Sequence, residues 1–205
     1  MGRGKLIVVS GFSGAGKGTL MNALMEKYDN YALSVSATTR APRPGETEGV
    51  SYFYKTDEEF RRMIENDELI EYAGYVGHFY GTPRVFVEKN LEEGKDVFLE
   101  IEIQGAMKVK QKYPDAVLMF VTPPSAAILR ERLVKRGTES PDVIAARLKR
   151  ATEEAEGVEA YDYIVVNDNL QDCVETVDRI VKSEHNRADD RISLIEEIRS
   201  ELSKE

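Results

Sequence analysis

Gly11-Phe12-Ser13-Gly14-Ala15-Gly16-Lys17 fills the first seven positions of the pattern G-x-x-x-x-G-K-[ST]. In such a loop, backbone N–H groups and the start of a helix cradle phosphate oxygens, while the lysine reaches the terminal phosphates of a nucleotide. At average residue usage the seven positions arise by chance about 0.06 times in ~200 starts, so the pattern alone only suggests this chemistry. The eighth position is Gly18. The usual hydroxyl for a magnesium ion is therefore missing there, and either Thr19 or water is expected to supply that oxygen. A second anion site is offered by Thr38-Thr39-Arg40-Ala41-Pro42-Arg43-Pro44-Gly45. Two arginines on a proline-stiffened turn can grip one phosphate with forked hydrogen bonds, although surface arginines more often face water. The guanine-reading Asn-Lys-x-Asp of a GTPase switch does not occur.

The surrounding pattern supplies what such a loop requires. Residues 6–9 are a continuous apolar run, as in a strand buried on both faces, and Leu20, Met21, Leu24 and Met25 follow the loop at helical spacing. Further strand-like runs at 97–101, 116–121 and 163–166 alternate with helical stretches at 106–112, 126–135, 143–156 and 170–182. The alternation predicts an α/β fold in which helices flank a parallel sheet. Residues 38–80 break it with Pro42, Pro44, Gly45, strand-like aromatics at 51–55, a charged helix at 57–66 and an aromatic-rich segment at 72–80. That composition suits a small α+β insertion. Residues 125–161 read as a helical, arginine-bearing lid broken at 137–141. The charged tail carries Leu194, Ile195, Ile198 and Leu202 at helical spacing. The expected organisation is a core of 1–35, 97–124 and 159–186, an insertion at 36–96, a lid at 125–158 and a terminal helix or tail at 187–205.

Composition limits the partners. The 205 residues carry a formal charge of −9, with a pI near 5.0, which disfavours non-specific nucleic-acid binding. No apolar run approaches the roughly 20 residues that span a bilayer, so a cytoplasmic protein without membrane contact is expected. One cysteine, Cys173, and two histidines, His78 and His185, leave no cysteine-based zinc site and no disulfide.

Beyond the phosphate loop, the segments at 34–43, 49–53, 70–73, 80–82, 100–105, 136–139 and 166–168 resemble, in order, successive motifs of bacterial guanylate kinases. The resemblance spans about residues 4–185. It implies a P-loop NTPase fold of the nucleoside monophosphate kinase type, with a core, a GMP-binding region and a lid. The reaction it implies is transfer from MgATP to GMP, and to dGMP, within purine nucleotide metabolism and GMP recycling. By position, Gly11 through Thr19 would hold the ATP phosphates and Asn167 would lie at the adenine end. Arg40, Arg43, Tyr52 and Tyr80 would hold the GMP phosphate, while Ser36, Glu71, Thr82 and Glu102 would read guanine. Lys17, Arg40 and the lid residues Arg132, Arg136 and Arg147 would act on the transferring group.

The residue chemistry is compatible with those roles. Guanine presents N1–H and an exocyclic amine as donors, which an acceptor-only carboxylate such as Glu71 or Glu102 matches, whereas adenine offers a lone pair there. Glu102 follows a buried-strand run, where an unpaired charge is costly. Tyr52 and Tyr80 taken alone read as aromatic core. Two rivals stand beside the kinase reading: a kinase for another nucleoside monophosphate, and a non-catalytic module that binds phosphorylated proteins. Oligomeric state, monomer or homo-oligomer, is left open by the sequence.

Overall fold

The computed structural model describes residues 2–75, 77–135 and 141–204. Strand β1 (Leu6–Gly11) lies at the centre of a five-stranded parallel sheet with β2 (Tyr31–Leu33), β7 (Asp96–Glu100), β8 (Val117–Thr122) and β9 (Tyr163–Val166), in the order β2-β7-β1-β8-β9. Alternate residues of β1 point to opposite faces, and both faces are covered. Ile7 and Val9 pack with Leu20, Met21 and Leu24 of α1 (Lys17–Lys27) and with Val174, Val177 and Val181 of α7 (Leu170–Glu184). Leu6 and Val8 pack on the other side with Val87 and Leu91 of α3 (Arg84–Glu92) and with Ala106 and Val109 of α4 (Ile103–Lys112). Burial on both sides is why the run carries no polar residue between Leu6 and Val9.

A second sheet, of order β4-β3-β6-β5, is built from β3 (Ala37–Thr38), β4 (Phe53–Tyr54), β5 (Leu69–Tyr75) and β6 (His78–Pro83). Helix α2 (Asp57–Glu65) covers it, placing Phe60 against Ala37, Leu69 and Phe79. Its start is set by a capping box in which Thr56 and Glu59 satisfy each other's backbone N–H. Helices α5 (Ala126–Lys135) and α6 (Pro141–Ala155) pack on each other and on Phe12 through Leu129, Leu133, Leu148 and Ala151. Helix α8 (Ala188–Leu202) buries no residue, and Leu194, Ile195, Ile198 and Leu202 are exposed along it. Among the described residues no helix is long and apolar enough to cross a membrane.

Two elements carry no signal in the sequence reading: the three-residue edge strand β2 and helix α3. The packing of α3 also qualifies the expected insertion at 36–96. Val87 and Leu91 belong to the core of the parallel sheet, and only residues through Pro83 form the second sheet. A Pro at the start of α3 hides it in the sequence, although a helix tolerates proline before its first turn.

Candidate active site

In a parallel sheet of this winding, ligands bind beyond the carboxyl ends of the strands, where neighbouring connections diverge to opposite sides. Strand β1 is that point here, since α1, which follows it, packs on one face and α4, which follows its neighbour β7, packs on the other. Its carboxyl end runs directly into the glycine loop. Gly11 has φ +153° and a side chain there would meet the Val121 carbonyl oxygen at 2.1 Å. Gly16, at φ +90°, caps α1, and a Cβ would meet Asn167 Nδ2 at 2.6 Å. Glycine at both positions is thus a steric requirement. Gly18 differs: a Cβ would meet only Glu100 Oε2, at 3.9 Å, which is ordinary contact. Close backbone approach does not account for it.

The loop is held from two sides. Asn167 is buried and its Nδ2 donates to the Ala15 carbonyl at 2.8 Å. Arg132 donates to the Asn167 carbonyl at 2.8 Å and to the Ala15 carbonyl at 3.3 Å. Both side chains therefore brace the loop in this structure. Arg147 Nη1 donates to Ser13 Oγ at 3.2 Å, bringing the second lid arginine onto the loop, and Lys17 Nζ donates to the Gly11 and Phe12 carbonyls at 2.8 and 3.3 Å. Arg136 lies outside the described residues.

The insertion supplies the second half. Arg40 Nη2 donates to Glu46 Oε1 at 2.8 Å, and its guanidinium lies over the Tyr52 ring, 5.3 Å from the centroid. Tyr52 and Tyr80 meet edge to face at 6.0 Å. Glu46 also accepts from the Arg43 backbone N–H and from the Tyr54 hydroxyl, each at 2.8 Å. The Arg40 hydrogen bond, then the Arg43 N–H, lowers its carboxyl pKa to about 2. Arg43 joins the group through its backbone, with its side chain exposed. Glu46 gives no signal in the sequence, because a lone glutamate after a Pro-Gly turn has no periodic or motif context.

Glu71, on β5, is 6 % exposed and accepts from Thr82 Oγ1 at 2.8 Å. Burial pushes its carboxyl above the ordinary glutamate value, with the Thr82 hydroxyl opposing that rise. Its second oxygen faces α4 so closely that a Cβ at Gly105 would approach it to 2.9 Å. Ser36, part-buried, precedes β3, and its carbonyl receives the Phe53 N–H at 2.9 Å. Glu102 corrects the expectation of a buried charge. Strand β7 ends at Glu100, so Glu102 stands outside the sheet at the N-cap of α4, its side chain 56 % exposed and paired with Arg150. Glu100, exposed at the end of β7, has its carboxyl pushed up by desolvation and pulled back by Lys17.

A phosphate loop at the switch point, a separate arginine and tyrosine cluster, a buried carboxylate and a helical pair resting on the loop fit a phosphate-loop kinase for a nucleoside monophosphate. The guanylate kinase family profile matches residues 3–184. The guanylate kinase of Caldanaerobacter subterraneus subsp. tengcongensis is 53% identical over 199 residues, covering 97% of each chain. That of Lactococcus lactis subsp. lactis is 53% identical over 187 residues, 91% of each. The crystal structure of guanylate kinase from Anaplasma phagocytophilum superposes with a TM-score of 0.74 at 36% identity, over 91% of this chain and 89% of that one. The chain belongs to the guanylate kinase family.

Proposed function

We propose that the chain transfers the γ-phosphoryl group of ATP to the phosphate of GMP, and of dGMP, giving ADP and GDP. The observation that carries this reading is the buried Glu71 carboxylate, oriented by Thr82 and facing the start of α4. Such an acceptor pair suits the donor edge of guanine and repels that of adenine. Sites built on hydrogen bonds of this kind discriminate by on the order of 10⁴–10⁵.

In this reading the insertion binds GMP, with Arg40, Arg43, Tyr52 and Tyr80 around its phosphate and Ser36, Glu71, Thr82 and Glu102 around its base. Residues 11–19 take the ATP phosphates, and Asn167 braces the loop at the adenine end. The attacking phosphate oxygen is already anionic near neutral pH, because the second phosphate pKa is about 6. No general base is needed. The barrier is lowered by in-line positioning and by the charges of Lys17, Arg132, Arg136 and Arg147. Water is excluded by packing of the lid on Phe12, which protects ATP from hydrolysis.

The donor set beside the loop is all oxygen. Thr19 is exposed, Glu100 Oε2 lies against the first turn of α1, and no group of three metal-binding side chains occurs among the described residues. These residues fit Mg²⁺, which keeps waters and phosphate oxygens and needs only one or two protein ligands. When bound, the ion neutralises charge on the transferring phosphates. In this reading the enzyme works in the cytoplasm, a location that suits its free, buried cysteine.

Measuring ADP release with GMP, dGMP, AMP, CMP and UMP in parallel tests the proposal. GMP and dGMP are expected to be turned over far faster than the others. Comparable use of AMP would overturn the guanine assignment.

A further inference from the structure

Two charged side chains of α6, Arg150 and Glu154, have no part in the mechanism above. Together with Arg147 they are spaced i, i+3, i+7 and share one face of the helix. That face lies on the phosphate loop, since Arg147 reaches Ser13 and neighbouring Leu148 and Ala151 pack with Phe12. Arg150 Nη2 donates to both carboxylate oxygens of Glu102, at 3.2 and 3.0 Å, and its Nε lies 3.3 Å from Glu154 Oε1. The other oxygen of Glu154 is buried without a hydrogen-bond partner. The Glu154 carboxyl is also within electrostatic reach of Lys17. An anion thus stands beside the loop that must accept anionic phosphates, and one guanidinium ties it to a carboxylate of the guanine site.

We propose that Glu154 and Arg150 are positioning residues that couple the two nucleotide sites. In the free enzyme Glu154 opposes entry of the triphosphate. GMP engages Glu102 and so releases Arg150, which then holds Glu154 off the loop. The inference rests on the assignment of Lys17 to the donor phosphates and Glu102 to guanine. Its physical basis is competition. The Arg150 guanidinium is shared between two carboxylates, and guanine donors take the acceptor sites of one of them. Partial burial of Glu154, which raises its pKa, keeps its charge poorly screened from the loop. Linkage requires the effect to be reciprocal, so each nucleotide strengthens binding of the other.

Calorimetric titration of a non-hydrolysable ATP analogue with Mg²⁺, in the absence and presence of saturating GMP, tests this. In the unmodified enzyme GMP is expected to tighten analogue binding by about fivefold or more. In Glu154→Gln the free enzyme should already bind the analogue tighter by a similar factor, with little further gain from GMP. In Arg150→Gln the free enzyme should bind no tighter, and the gain from GMP should again be lost. A merely structural role would weaken binding in both variants. GMP enhancement that persists in either variant, weaker analogue binding in Glu154→Gln, or no enhancement in the unmodified enzyme would each overturn the coupling. Failure of the unmodified enzyme to bind GMP or the analogue at all would instead defeat the underlying site assignment.

Discussion

Lys17 and Glu71 do opposite electrostatic work, and each has its own test. Lys17 is the cation held across the loop by the Gly11 and Phe12 carbonyls, so Lys17→Ala should abolish most turnover while GMP still binds. Steady-state assays paired with GMP titrations check this, and near-normal activity would refute the donor-site assignment. Glu71 is a buried acceptor. Glu71→Gln replaces one acceptor oxygen by a donor and should weaken GMP use by more than about tenfold. Its pH behaviour has a definite sign. Burial raises the carboxyl pKa above the ordinary 4.5, so the empty site takes up a proton before an exposed glutamate would. Guanine needs the ionised form, and GMP affinity should therefore fall as pH drops from neutral. The Gln variant should keep only the pH dependence that comes from the GMP phosphate. The same shift affects stability. A raised folded-state pKa contributes stability at acid pH that is lost as pH rises through it, so ionised Glu71 is a liability at neutral pH. Glu71→Gln should accordingly raise the thermal midpoint of the ligand-free protein at pH 7, a gain in stability at the expense of function.

Helix α1 and the loop before it separate two kinds of glycine. Gly11 and Gly16 are fixed by left-handed backbone and by contacts under 3 Å, whereas Gly18 sits inside the helix with nothing closer than 3.9 Å. Gly18→Ser should therefore stabilise the protein, by up to about 1 kcal/mol in urea unfolding, since glycine is a poor helix former. It also returns a hydroxyl to the position facing Glu100, so turnover should be retained. Helix identity was readable from local spacing in α1, α2, α5 and α7. It was not readable in α3, where the pattern follows a proline, nor was the short strand β2, whose three residues Tyr-Ala-Leu gain strand character only from pairing with β7. The buried-charge argument for Glu102 failed because strand β7 stops two residues earlier, a boundary that depends on pairing with β1.

Helix α8 stands apart from the two sheets and the helices that cover them. It buries no residue, and its contacts include the Lys5 to Asp190 ion pair at 2.5 Å. A chain ending at Arg187 should thus fold and keep its turnover, as circular dichroism and kinetic assays would show; loss of activity would give α8 a part in the working enzyme. By itself the sequence determined the phosphate loop, most of the strands and helices of the parallel sheet, and the family, because these reside in short segments whose residue types and spacing carry the physics locally. Only the tertiary structure decided that Glu46 organises Arg40, that Glu102 stands outside the sheet at the N-cap of α4, and that Arg150 joins Glu102 to Glu154. The energy of a charge depends on its burial and on its neighbours in space, which residue order alone does not reveal.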